Sequence, residues 1–199
     1  MRIQLIAYWL SRNFPQVYRL ARPPWRLMMR LFGHRDYWQQ RKHFNYYREV
    51  VRLARTYVPS GRYVIDVGAN DTEVILDLSW FAHRVALDLV YAPRRAGVES
   101  ILIDFMDYHP NTYFDLVLCL QVLEHLENPG AFAQKLLETG KVVIITVPYK
   151  WPAELVKTHT QDPVDEAKLE RWTRRKPVET LVVTDGKERL IAVYRNEDY

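Results

Sequence analysis

Three aspartates and one polar cluster interrupt the apolar stretches of this 199-residue chain at places where a carboxylate could do chemistry. Asp66 sits within the run Tyr63–Val67, just before Gly68. Asp88 lies near the end of Arg84–Leu89, Asp104 follows Ser100–Ile103, and Gln121 to His125 follow Phe114–Leu120. Asp88 comes 22 positions after Asp66. That is close to the roughly 20-residue interval at which nucleotide-binding α/β folds place the acid that grips a ribose. A carboxylate suits a vicinal diol because it can accept two hydrogen bonds at once. Taken alone, Asp88 reads equally well as a helix cap or loop acid. Gly68 supplies a sharp turn open to close approach by a ligand, since no Cβ stands in the way. Asn70 occupies the place of a second glycine, and asparagine tolerates left-handed geometry. A turn with a single glycine can also be only a turn.

Those residues need a scaffold that gathers strand ends. Tyr63–Val67, Arg84–Leu89, Ser100–Ile103, Phe114–Leu120 and Lys141–Val147 are short apolar runs read as five strands. Helical segments separate several of them. One follows Gly68 and closes at Trp80-Phe81, and another spans Gly130–Thr139 with Gly140 to stop it. Strands apolar on both faces and alternating with helices imply a parallel sheet covered on both sides, whose carboxyl ends line one crevice. The tail changes character. Glu179–Thr184 and Arg189–Tyr194 are β-rich runs joined through Asp185-Gly186, a hairpin signal. The fold expected is therefore α/β and Rossmann-like. It has a mostly parallel seven-stranded sheet, a C-terminal antiparallel β-hairpin and helices on both faces. Ahead of it, Tyr37, Phe44, Tyr47, Val51 and Ala54 recur at helical spacing up to Tyr57, and Pro59-Ser60-Gly61 ends that helix.

Charge divides the chain. Residues 1–55 carry twelve Lys/Arg against two acids, and the remainder carries sixteen against twenty-two. We expect a basic, aromatic-rich helical extension over residues 1–48 and a second unit over 49–199. Arg12, Arg19, Arg22, Arg26 and Arg30 lie among Tyr8, Trp9, Phe14, Tyr18, Trp25 and Phe32, broken by Pro15 and Pro23-Pro24. Residues 1–35 could dock as a lid over the crevice, lie on an anionic membrane surface or touch nucleic acid. They could equally form a solvated face whose arginine stems cover core. Ile3–Leu10 is too short to span a bilayer, and no small-residue cleavage pattern follows it. The single cysteine, Cys119, lies in an apolar run and excludes an internal disulfide framework and a multi-cysteine zinc site. No metal site is expected. A cytoplasmic location fits, with peripheral membrane contact through the extension as the variant.

From about Tyr37 to Tyr194 the chain resembles the class I S-adenosylmethionine-dependent methyltransferases of the small-molecule type. The matching pieces are Val64–Asn70 (VIDVGAN), Ala86–Leu89 with Asp88, Ile103–Phe105, and Phe114–Pro129. The last carries Asp115 opening a strand and Val122-Leu123-Glu124-His125 followed by Pro129. The terminal hairpin matches the family's strand order. The resemblance implies S-adenosylmethionine as cofactor. Asp66 and Gly68 would hold its amino-acid end, Asp88 its ribose, Asp104 and Phe105 would flank adenine, Gln121 would sit by the methionine portion, and Asn70 would belong to the cofactor-binding turn. The family prefers G-x-G-x-G where this chain has Gly68-Ala69-Asn70-Asp71-Thr72.

Methyl transfer from a sulfonium is an in-line displacement served mainly by positioning, and a hydroxyl acceptor gains from a nearby base. His159 and His125 are the candidate bases, with Tyr149 a candidate acceptor contact. Each also reads as a residue that packs or supports a loop. The expected activity is methyl transfer to a small molecule or polar glycoconjugate, at oxygen. One alternative is a non-catalytic methyltransferase fold whose basic extension binds a membrane or partner protein. Another is an RNA methyltransferase guided by the arginines. The chain lacks an N-P-P-Y segment and a Pro-Cys pair, which argues against DNA-directed relatives. Asn70 and Glu73 are the wrong chemistry for a nicotinamide pyrophosphate.

Overall fold

A computed structural model of the chain describes residues 35–92 and 94–196. The expected roles of residues 1–34 lie outside the described residues. Two helices lead in, α1 (Arg35–Arg41) and α2 (Asn45–Tyr57), followed by β1 (Tyr63–Val67), α3 (Val74–Asp77), β2 (His83–Asp88) and β3 (Glu99–Leu102). Then come β4 (Phe114–Leu120), α4 (Pro129–Thr139), β5 (Gly140–Pro148), α5 (Glu166–Thr173), β6 (Glu179–Thr184) and β7 (Glu188–Arg195). All seven strands form one sheet in the order β3-β2-β1-β4-β5-β7-β6. β1 to β5 run parallel, and β7 runs antiparallel to both β5 and β6. The order reverses between β1 and β4, so the crevice predicted from the strand ends opens at that switch point.

Alternation along the strands builds two cores. Ile65, Val67, Val117, Cys119, Val143 and Ile145 face α4 and α5, with Phe132, Leu136 and Leu169 packed over them. Val64, Leu116, Leu118 and Ile144 face the other way, under Tyr46, Val50 and Leu53 of α2 and Val74 and Ile75 of α3. Successive strand residues point to opposite faces, so a strand covered on both sides must be apolar throughout.

At the opposite edge from the crevice, Asp115 ties three strands together. It accepts from the Arg62 and Tyr63 amides at 2.7 and 3.0 Å and from Lys141 Nζ at 2.9 Å. Burial alone would raise its pKa. The amide of Tyr63, the ammonium of Lys141 and the amide of Arg62 outweigh burial and hold it below the ordinary value.

Two expected helices come out shorter. The helical pattern from Tyr37 breaks before Asn45, where Asp185 of the β6–β7 turn accepts the Asn45 and Tyr46 amides at 2.8 and 3.0 Å. A carboxylate at that place satisfies orphan donors and starts a new helix. After Gly68, helix survives only over Val74–Asp77. Beyond it, Trp80 Nε1 donates to Val58 O at 3.0 Å and Phe81 lies under Gly61, where a Cβ would come within 2.2 Å of its ring. Those contacts, with Asp77 and Ser79 favouring turns over helix interior, hold the segment irregular. No helix separates β2 from β3 among the described residues. No described helix is long and apolar enough to cross a membrane.

Candidate active site

The turn after β1 is built from inside. Gly68 has φ +79°, and its amide and that of Ala69 donate to Leu87 O at 2.8 and 3.1 Å. A Cβ on Gly68 would stand 2.4 Å from Val122 Cγ2, so only glycine lets the segment after β4 close over this turn. Asn70 takes φ +48° and donates its amide to Asp88 Oδ2 at 3.0 Å. Asp71 and Thr72, which stand where the family prefers small or glycine residues, are both buried. Thr72 donates its hydroxyl to Ala69 O at 2.8 Å, and Asp71 faces the Trp38 amide at 3.4 Å. Thr72 thus closes the turn on itself, and Asp71 links it to α1.

Asp66 ends inside the protein, 1% exposed, with Oδ2 lacking a hydrogen-bond partner among the described residues. Burial pushes its pKa up to about 7, against the pull of Arg95 and the Thr72 hydroxyl and with a further push from Asp88. Asp88 is half-buried and already engaged. Oδ1 accepts the Val90 and Tyr91 amides at 2.7 and 2.9 Å, and Oδ2 accepts that of Asn70. A carboxylate has about four lone-pair sites, which leaves roughly one for a ligand hydroxyl. Burial raises the Asp88 pKa, and those three amides oppose it. Asp104 caps a short 3-10 turn by accepting the Met106 amide at 2.9 Å. Phe105 lies in the core, 4.9 Å from Phe132, while its neighbour Met106 is 42% exposed. Sequence reasoning passed over Met106, whose only signal was an apolar residue next to a strand-end acid.

The second cluster gathers where β4 and β5 end. Gln121 adopts φ +57°, held by Thr146 through its amide at 3.0 Å and its side-chain Nε2 at 3.1 Å. Glu124, three residues on, is fully buried, and neither of its carboxylate oxygens has a hydrogen-bond partner on another described residue. Burial raises its pKa to about 8; its own amide and Arg189 pull down, and Asp162 pushes up. The loop after β5 is stitched across this segment. Thr160 N donates to Glu124 O at 2.9 Å, and Gln161 Nε2 donates to Leu126 O at 2.8 Å. The stitching brings the His125 and His159 rings edge to face at 4.7 Å. His125 Nδ1 lies 2.9 Å from Thr158 O, which can only accept, so Nδ1 carries the proton. His159 Nδ1 donates to Asp162 Oδ2 at 2.6 Å. In the neutral form of each ring Nε2 is then the nitrogen that keeps its lone pair. Burial lowers the pKa of His125, opposed by the Thr158 carbonyl and Asp162 and reinforced by His159. Tyr149 is half-buried and turned toward α5, donating to Glu166 Oε1 at 2.8 Å.

The structure thus joins Asp66, Gly68, Asn70 and Asp88 in one wall and His125 with His159 in another. Val122, lying over Gly68, links the two. Glu124 lies in the segment that follows β4, but no spacing rule assigns it or Asp162 to the histidines.

Comparison with known proteins agrees with this fold. Residues 37–182 match the family model described as a methyltransferase domain. No curated protein sequence matches the chain. Among solved structures, the N-methyltransferase NodS from Bradyrhizobium japonicum WM9, in complex with S-adenosyl-L-homocysteine, superposes with a TM-score of 0.65. It is 14% identical, over 87% of this chain and 98% of that one. Magnesium protoporphyrin IX methyltransferase from Synechocystis PCC 6803 gives a TM-score of 0.62 at 15% identity, over 76% of this chain and 83% of its own. The 1,6-didemethyltoxoflavin N1-methyltransferase of Burkholderia thailandensis gives 0.60 at 17%, over 76% and 78%. At such identities the likeness is one of fold.

Proposed function

The chain belongs to the class I S-adenosylmethionine-dependent methyltransferases, and from that membership we propose that it methylates a hydroxyl oxygen of a small molecule or polar glycoconjugate. The residues of the crevice fit the cofactor. Asp66 and Asn70 each bury an acceptor oxygen without a partner beside the glycine turn, a cost that a ligand's donors would relieve. When bound, S-adenosylmethionine supplies an electrophilic methyl on a sulfonium, displaced in line by the acceptor.

Asp66 and the backbone of Gly68 and Asn70 would hold the amino-acid end, with Gln121 beside it. Asp88 would take one ribose hydroxyl on its remaining lone pair. Asp104 would face adenine, with Met106 rather than the buried Phe105 offering the apolar surface. The observation that carries oxygen as the acceptor atom is the histidine pair. Two imidazoles whose Nδ1 atoms are held by Thr158 O and Asp162 would, when neutral, keep an Nε2 lone pair on the segments that follow β4 and β5, and a hydroxyl needs such a group where a more nucleophilic amine does not.

Calorimetric titration with S-adenosylhomocysteine tests the first half. Micromolar binding by the wild type and its loss in Asp88→Ala are expected. Absence of binding by folded wild type would overturn the enzyme reading. For the second half, hydroxylated and aminated acceptor panels are offered with labelled cofactor, and transfer confined to amines would refute oxygen as acceptor.

A further inference from the structure

We propose that Glu124, His125 and His159 form a site for one divalent transition-metal ion. A carboxylate oxygen and one nitrogen from each ring lie within 4.8 Å of one another, with His125 Nε2 3.9 Å from Glu124 Oε1. Ligands at about 2.1 Å from a tetrahedral ion stand about 3.4 Å apart, so loading requires only a small closure of the side chains.

Three features favour a cation over simple packing. The first is Glu124: fully buried, with neither oxygen hydrogen-bonded to another described residue. A buried carboxylate is normally paired or coordinates a metal. The second is the outer shell. Metal-binding histidines usually donate the other ring N–H to a carboxylate or backbone carbonyl, which fixes the tautomer and aims the second nitrogen at the metal. His159 does so to Asp162 and His125 to the Thr158 carbonyl, at 2.6 and 2.9 Å. The third is rigidity. The Asp162 side chain is 1% and that of His159 7% exposed, and Trp151 stacks on the His159 ring at 5.7 Å.

The ligand set selects the ion. Two imidazoles with one carboxylate suit zinc, iron, cobalt, nickel or manganese better than magnesium or calcium, which prefer all-oxygen shells. Three protein ligands leave a position open, where water or an acceptor hydroxyl could coordinate and lose its proton more readily. That last role rests on the hydroxyl reading above. The metal would then activate the oxygen in place of direct proton transfer to imidazole.

The test separates the two proposals. Full-length protein is stripped with chelator and titrated with Co²⁺, followed by its visible d–d bands, and with Zn²⁺ and Mg²⁺ by calorimetry. One equivalent of Co²⁺ or Zn²⁺ at micromolar affinity or tighter is expected, with Mg²⁺ at least 100-fold weaker. Glu124→Gln, which keeps volume, and His159→Ala should each lose at least 100-fold. Asp162→Asn should lose about 10- to 100-fold, and the remote His83→Ala should lose nothing. Thermal melts identify any variant that fails to fold, and Asp162→Asn then carries the comparison. Absence of stoichiometric binding, or affinity unchanged in folded Glu124→Gln and Asp162→Asn, would overturn the site. S-adenosylhomocysteine affinity is measured on the same samples. Its retention by a protein that takes no metal would reject the metal and leave methyl transfer standing.

Discussion

Replacing Asp66 by asparagine should stabilise the ligand-free protein, and by an amount that depends on pH in a defined direction. In the folded state burial raises the Asp66 pKa from 3.8 to about 7. Between those values the unfolded chain has released a proton that the folded chain still holds. Stability therefore falls as pH rises through that window and levels off above about 7. Three units at about 1.4 kcal/mol each give roughly 4 kcal/mol as the upper bound of the cost at pH 8. Asparagine cannot ionise, but its amide inherits the unpartnered place of Oδ2, which costs about 1–2 kcal/mol at every pH. The net gain at pH 8 is then about 1–3 kcal/mol. The difference between variant and wild type should widen by roughly 2–3 kcal/mol from pH 5 to pH 8. For a chain of this length that widening amounts to about 5–10 °C in Tm. Urea denaturation of both proteins at half-unit pH steps, without ligand, reads it directly. Parallel stability curves would show that Asp66 is not the strained ion the structure makes it. The same variant should bind S-adenosylhomocysteine more weakly, because the charge that destabilises the empty crevice is the one offered to the cofactor.

Two further outcomes follow from the frame around the site. Asp115→Ala removes the acceptor of two amides and one ammonium, and should cost about 2–3 kcal/mol in chemical denaturation. S-adenosylhomocysteine affinity should not change, since Asp115 lies at the strand ends remote from the crevice. The Asp115 carboxylate's contribution is present at neutral pH and disappears as pH falls through its lowered folded pKa. Cys119 is fully buried and its thiol pKa is pushed well up, chiefly by burial. It should resist iodoacetamide at pH 8 in the native state and react at once in urea; rapid native labelling would contradict its place in the core.

The acids Asp88 and Asp104 were legible because they stand where apolar runs end, while Asp66, paired with Ala86 and Leu118 inside the sheet, was legible as the one carboxylate interrupting the first run. The β6–β7 hairpin was legible for an equally local reason, the Asp185-Gly186 pair, whose glycine takes φ +72°. Less legible were properties set by tertiary partners. The helix after Gly68 has adequate apolar spacing up to Phe81, but Val58 O and the surface under Gly61 claim Trp80 and Phe81 first. Asp71 and Thr72 look like departures from a glycine-rich loop until Thr72 is seen closing the turn onto Ala69 O and Asp71 reaching the Trp38 amide of α1. The convergence of His125 on His159 spans 34 positions, and the backbone bonds of Thr160 and the amide of Gln161 set it, which no residue pattern announces.

The Asp185 cap on α2 reaches across 140 positions of chain. A ribosome adding about 5–20 residues per second emits the start of that helix roughly 7–28 seconds before the turn that caps it. During that interval α2 has an apolar face with only part of its sheet to cover, and a first turn with no acid to receive its amides. A helix that precedes every strand of the sheet is thus capped by a residue between its last two strands. Glu179, bonded to Tyr57, and Ile191 and Val193 in the core beneath α2 arrive as late, so this helix is finished only when the last two strands close.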